Sequence, residues 1–215
     1  MSGAANAPMS RLPNMSVLGR TLHGFQSKSL LAVEQLDAVE RRRYDALQCE
    51  HRRNEWLIGR AAVRAASAAA GITIDRSLLS PPHARLSLSH APGMSMAVAV
   101  EASRAGGDHG LGIDFERSRP MPRELTRLFA TGREMTISRH ASDDDLIRLW
   151  TIKEAVFKAC PLNDDLWLTD LEVQNLSSDG FGQAVKLSGG ARFATFSHRY
   201  ELGWVSVALC EESCQ

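Results

Sequence analysis

Apolar positions along the chain recur with two different periods. Between Ser29 and Ala70 the period is helical: Leu30, Leu31, Val33 and Leu36 fall on one stripe, Trp56, Leu57, Ala61, Val63 and Ala66 on another, and Gly71 supplies a C-terminal cap. Two helices, split near residues 41–49, are the simplest account. From Arg85 the period shortens to two. Arg85–Ser89 alternates, Met94–Val100 alternates less strictly, and Ala91, Pro92 and Gly93 between them predict a β-hairpin. A third short strand, Leu111–Glu116, follows glycines at 106, 107 and 110. Pro120 and Pro122 then introduce a helix reaching about Ala130. A further helix runs from about Ser142 to Cys160 and opens on Asp143, Asp144 and Asp145, where the positive end of the helix dipole favours acids. Beyond Pro161 the runs Leu168–Leu176, Gln183–Leu187, Arg192–His198 and Gly203–Leu209 are of strand length, separated by Gly, Ser and Asp.

Residues 1–26 carry Ser, Pro, Gly and Met without periodicity and read as a mobile N-terminal arm, pinned at its end by Leu22 and Phe25. The order αα, βββ, αα, ββββ predicts an α+β fold with two sheets, each covered by helix, and a break near Pro120. No internal sequence repeat is visible.

Composition narrows the class of protein. With 215 residues, 44% apolar and 23% charged, the chain can bury a real core, which excludes disorder and a fibrous architecture. Lys plus Arg number 25 and Asp plus Glu 25, so nothing draws the whole molecule to nucleic acid or an anionic membrane, and a charged partner has to be met by a local patch. Cys49, Cys160, Cys210 and Cys214 form neither a CxxC pair nor zinc-finger spacing and are too sparse for a disulfide scaffold, which points to a reducing cytoplasm. No stretch has the apolar length of a signal peptide or a membrane span.

Four local patterns carry candidate chemistry. In Gly112-Ile113-Asp114-Phe115-Glu116, strand alternation puts Asp114 and Glu116 on one face while Ile113 and Phe115 point into the core. Two carboxylates so placed offer hard oxygen ligands to Mg²⁺, although the same pair also suits a solvated strand end beside Arg117 and Arg119. In Trp150–Ala159, Glu154 and Lys158 lie one helical turn apart, while Lys153 is rotated from Glu154 by about 100°. Such a pair is an ordinary helix-stabilising one, but Trp150 and Phe157 make this helix half buried, where a carboxylate needs a cation to stay ionised.

In Ser87-Leu88-Ser89-His90, a hydroxyl and an imidazole at a strand-to-turn junction can hold a phosphate. Ser89 and His90 point to opposite sides of a strand, which argues against a nucleophile and its base. Finally Arg52 and Arg60, and more loosely Arg53 and Arg64, can bracket an anion through guanidinium forks, against the alternative of a solvated helix face. No P-loop, GxGxxG, HExxH or GxSxG occurs.

Taken in order, RRNEWLIGR, SLSHA, GLGIDFE and LWTIKEAVFKACPLNDDLWLTDLEV, over about residues 50–175, make the chain resemble the 4′-phosphopantetheinyl transferase superfamily, most closely its monomeric branch typified by the surfactin and enterobactin synthetase component D type. The resemblance implies two similar lobes forming a pseudo-dimer, each a small antiparallel sheet packed with helices, an N-terminal lobe over 27–117, a C-terminal lobe over 118–215 and an active site at their interface. It implies a Mg²⁺-dependent enzyme, Mn²⁺ being an acceptable substitute. The enzyme would move the phosphopantetheine arm of coenzyme A onto a serine of an acyl or peptidyl carrier protein and release adenosine 3′,5′-bisphosphate. The carrier would serve polyketide, nonribosomal peptide, siderophore or fatty acid synthesis.

By the same resemblance Asp114, Glu116 and Glu154 are the metal ligands and Lys158 the pyrophosphate contact. Arg52, Arg60, Ser89 and His90 are coenzyme A phosphate contacts, and Lys153 is without a firm role. One departure is that the usual Gly-x-Pro turn with its lysine is replaced by Leu79–Arg85, so that either His83 or Arg85 substitutes or coenzyme A is gripped less tightly on that side. Other readings are a different Mg²⁺-dependent enzyme cleaving the coenzyme A pyrophosphate without a carrier, and a non-catalytic module binding coenzyme A or a carrier.

Arg117, Arg119, Arg123, Arg127, Arg133 and Arg139 stand against only Glu124 and Glu134. With apolar Met121, Leu125, Leu128 and Phe129, this segment is the expected docking surface for an acidic carrier. A monomer suffices for a fused pair of lobes.

Overall fold

The computed structural model describes residues 9–73, 83–101, 110–160, 163–201 and 203–211, with the backbone alone at Ile137. The expected α+β class is what it shows: two five-stranded antiparallel sheets, each with a long helix on one face. The first sheet holds β1 (Ser10–Arg11), β2 (Met15–Val17), β3 (Arg20–Ser27), β4 (Leu86–Ala91) and β5 (Met94–Val100) in the order β1-β3-β5-β4, with β2 also on β3. The second runs β6-β10-β9-β8-β7, from β6 (Leu111–Arg117), β7 (Leu171–Leu176), β8 (Phe181–Lys186), β9 (Arg192–Tyr200) and β10 (Gly203–Cys210).

The two halves share a connectivity that no sequence repeat discloses. In each, a first strand (β3 or β6) leads through helices to a closing hairpin (β4–β5 or β9–β10) whose last strand returns to pair with the first. The helices are α1 (Ala38–Ala46) and α2 (Glu50–Ala69) in the first half, and α3 (Gly132–Ser138) and α4 (Asp143–Ala159) in the second.

Strand parity divides the core into layers. Met94, Met96, Val98 and Val100 of β5 face Ile113, Phe115, Val205 and Val207 of the other sheet, while Ala97 and Ala99 face Ala62, Val63 and Ala66 of α2. Ala208 and Cys210 likewise turn from the middle layer toward Ile152, Ala155 and Ala159 of α4. The stacking is therefore helix, sheet, sheet, helix. Cys49 is exposed, while Cys160 and Cys210 are buried.

Three expectations need correction. Residues 10–26 are not an arm: they form β1, β2 and most of β3, and Leu12, Met15, Val17 and Leu22 are buried between the sheets. The stretch 1–8 lies outside the described residues. The strand at 111–117, expected to end the first lobe, is a full member of the second sheet, paired along its length with β10. The helix expected to reach Ala130 is a short 3-10 segment, Arg123–Leu128, because Thr131 and Glu134 form a capping box that starts α3 afresh.

The placement of α4 follows from two glycines. A Cβ on Gly110 or Gly112 would sit 1.8 Å from the carbonyl oxygen of Ala159 or Ala155, so only a bare strand face lets the helix backbone come this close. Gly112→Ala should therefore destabilise the fold by about 3 kcal/mol, the upper end of ordinary overpacking costs. Gly132→Ala, whose added methyl meets nothing within 4 Å, should be neutral to slightly stabilising. Urea denaturation of the two variants checks the contrast.

Candidate functional site

Gly110, Gly112, Asp114 and Glu116 occupy alternate positions on β6, the same face that meets α4. The glycines draw the helix in. Lys158 Nζ then donates to Asp114 Oδ1 at 2.7 Å and to the carbonyl oxygen of Ile113 at 3.0 Å. Glu154, one turn earlier on α4, is half-buried, and its carboxyl is pushed above the ordinary range by burial first and then by the charges of Asp114 and Glu116, with Lys158 opposing. Glu116 pairs with Arg119 at 2.5 Å at the open end of the strand.

A cavity of about 470 Å³ opens beside this group, between β4, α2 and the end of α4, lined by Arg43, Trp56, Arg60, Ser89, His90, Asp114 and Lys158 among others. Its size is that of a small-molecule site. A smaller recess of about 230 Å³, which includes Arg52 and Glu55, shares Trp56 and His90 with it. Arg60 is buried with its guanidinium 5.1 Å over the Trp56 ring. Arg52 is exposed and 3.3 Å from Glu55. His90 hydrogen-bonds Ser95 Oγ through Nδ1 at 2.8 Å and packs on Gly59, where a Cβ would come within 2.6 Å of its ring. Its pKa is lowered, chiefly by desolvation, with Glu55 opposing and Arg60, Lys158 and Arg52 adding to the fall.

The structure thus brings Asp114, Lys158, Ser89, His90 and Arg60 to one cavity wall, with Glu154 and Glu116 electrostatically coupled to it and Arg52 in the adjoining recess. Sequence reasoning missed Arg43 and Trp56. Arg43 belongs to a run of three arginines in which only the helix phase selects one, and Trp56 reads as a core residue from its stripe. Two looser arginine candidates are structural. Arg53 Nε donates to the carbonyl of Leu47, and Arg64 binds the fully buried Glu40 at 2.5 Å and the carbonyl of Gln35. His83 turns its Nδ1 to the amides of Arg85 and Leu86 and so caps a turn, while 79–82 lie outside the described residues.

Lys153 points away from this wall. Its ammonium is fully buried on the carboxylate of Glu134, which also accepts from the amides of Thr131 and Val173, each at 2.7 Å. The bond ties α4 to the start of α3 and to the edge strand β7.

Among the described residues no three His, Cys, Asp or Glu side chains stand close enough together to hold a metal ion as they are. The donor chemistry nevertheless fits a hard cation. Asp114 Oδ2 is buried with no hydrogen-bond partner, and the repulsion raising Glu154 is what a bound cation would relieve.

The cavity between the two sheets and their helices thus carries Arg43, Arg60 and Lys158 as cationic donors and Asp114 as its acid, a set chemically suited to an anionic ligand. Residues 110–210 match the model of the 4′-phosphopantetheinyl transferase superfamily. No curated protein matches the chain.

Glu154 yields a prediction with a definite sign. Its pKa is raised in the folded state, so folding costs nothing at this site below the ordinary carboxylate range. The cost grows as pH rises through that range and is complete above the folded pKa. Glu154→Gln should therefore raise the thermal midpoint at pH 7.5 in EDTA, with the gain vanishing toward pH 4. Lys153→Met strands a buried carboxylate and should cost about 3–5 kcal/mol in urea denaturation.

Proposed function

We propose that the protein transfers the 4′-phosphopantetheine arm of coenzyme A to a serine of an acyl or peptidyl carrier protein, acting as a holo-carrier synthase. The observation that carries the proposal is the Asp114–Lys158 pair on the wall of a cavity that Arg43, Arg60 and His90 also line, with Glu154 electrostatically coupled to the pair; Asp114, Glu154 and Lys158 all fall in the segment matched to the transferase superfamily. In the reaction the carrier serine Oγ bonds to the pantetheine-side phosphorus, the bridging P–O bond breaks, and adenosine 3′,5′-bisphosphate leaves with the bond's electron pair.

Asp114, Glu116 and Glu154 would hold Mg²⁺, or Mn²⁺ in its place. When bound, the cation neutralises charge developing on the pyrophosphate oxygens. Lys158, already at the cavity wall, offers its one remaining proton to the same oxygens. Arg43, Arg52 and Arg60 give forked donors to the other phosphates of the coenzyme, with Trp56 as an apolar wall and Ser89 and His90 beside it. The serine proton passes to Glu154 or to a water, and the raised pKa of Glu154 brings it closer to what a base needs at neutral pH.

The carrier would dock on the Arg-rich segment 117–139. Of the apolar residues expected there, Met121 and Phe129 are buried, Phe129 in an edge-on contact with Trp150, so they belong to the core. Leu125 and Leu128 are exposed, as are Met135, Arg127 and Arg139, beside a cavity of about 430 Å³ that Met135 and Arg139 line. An apolar centre rimmed by cations suits an acidic carrier. No helix among the described residues is long and apolar enough to cross a membrane. The sparse cysteines, without CxxC or scaffold spacing, suit a cytoplasmic site of action, and the protein would act there as a monomer.

The test is an intact-mass assay of apo carrier proteins with coenzyme A and Mg²⁺, run beside an EDTA control. One carrier should gain a single phosphopantetheine, in the presence of metal only. Adenosine bisphosphate released at the same rate without any carrier would instead assign a coenzyme A pyrophosphatase, and coenzyme A binding without transfer to any carrier a binding module. Asp114→Asn should lower turnover at least about 100-fold, the scale of losing one charge-stabilising group. Arg127→Glu with Leu128→Ser should raise the carrier KM about 10-fold and leave the coenzyme A KM unchanged.

A further inference from the structure

β6 is an edge strand of the second sheet. Its inner side pairs with β10, and its outer side faces β4, the edge strand of the first sheet. The amides on that outer side are deeply buried, where a donor without a partner is strongly unfavourable. Three of them, two residues apart, find acceptors on the β4 side. Leu111 N donates to the carbonyl of His83 at 3.0 Å, Ile113 N to Ser87 Oγ at 3.0 Å, and Phe115 N to Ser89 Oγ at 3.2 Å.

Only the first is a backbone bridge. From there the two edges are joined through serine side chains, so the strands lie a side chain's length apart where the cavity opens. The Ser89 hydroxyl has one proton, and it goes to Asp114 Oδ1 at 2.9 Å. With Lys158 also on Oδ1, one carboxylate oxygen is fully engaged and Oδ2 is left buried and free of protein partners.

We propose that Ser87 and Ser89 are positioning residues, a pair of hydroxyls that stitch the two lobes together and aim Asp114 Oδ2 at the bound cation. On this assignment Ser89 acts through Asp114 rather than on a phosphate of the coenzyme. Both serines are almost wholly buried, and Ser89 already spends its proton and an acceptor site inside the protein. The inference rests on the metal assignment made above.

The test measures Mn²⁺ binding by electron paramagnetic resonance and coenzyme A binding by calorimetry in EDTA, on the full chain. Ser89→Ala should weaken Mn²⁺ binding about 10- to 100-fold, as loss of a ligand-orienting partner does, and leave coenzyme A affinity within about 2-fold. Ser87→Ala, which keeps the bond to Asp114, should weaken Mn²⁺ less, about 3-fold, and lower the thermal midpoint. Ser89→Thr retains the hydroxyl and should bind Mn²⁺ as the unsubstituted protein does, a comparison that stands even if the alanine variant fails to fold. Weakened coenzyme A binding with Mn²⁺ affinity unchanged in Ser89→Ala would overturn this inference alone and restore Ser89 as a phosphate contact. No Mn²⁺ binding by the unsubstituted protein would overturn the metal assignment together with it.

Discussion

The backbone of α4 lies directly on β6, with no side chain between them, at Gly110 and Gly112. Every feature of the site depends on this approach. Helix and strand normally pack through side chains, which keeps their backbones apart. Here two missing side chains remove that spacer at one end of the strand, and the next positions on the same face carry Asp114 and Glu116. The contact thus delivers the carboxylates to Lys158 and Glu154 at hydrogen-bonding and Coulombic range. The glycines belong to the candidate site in the same sense as the acids.

Around that contact the helix is held from both sides. Toward the cleft, Lys158 binds Asp114. Toward the outside, Lys153 binds Glu134, whose two oxygens also cap α3 and satisfy an edge amide of β7. Lys153 and Glu154 are neighbours in sequence but face opposite tasks. Burial pulls the ammonium of Lys153 down and Glu134 pulls it back up, which favours a tight internal ion pair. Glu154 has the reverse situation, a carboxylate crowded by its own kind. The motif therefore combines an anchor that favours the fold with a group that strains it.

Much of this was legible in the sequence, for identifiable reasons. Strand period two put Asp114 and Glu116 together, helical phase separated Lys153 from Glu154, and the hairpin at 91–94 was signalled by Pro92-Gly93. The N-terminal strands were not legible. β1 and β2 are too short to show alternation, and the turn that joins β2 to β3 uses Leu18 at φ 53° beside Gly19 at φ 70°. A leucine there is the opposite of the Asn-Gly signal such turns normally give. Arg43 and Trp56 were hidden for another reason: each reaches the cavity only through the way distant parts of the chain pack together, and no local spacing reports it.

The shared connectivity of the two halves has a consequence for how such a site can be built. In an assembly of identical subunits, a residue chosen for one side of a shared cleft is imposed on the other side as well. Joining the halves in one chain lifts that constraint. The first half lines its wall with arginines and an indole, while the second contributes the Asp114–Lys158 pair, with Glu154 and Glu116 coupled to it. The two sides of the cavity thus differ in chemistry in a way that two-fold symmetry would forbid.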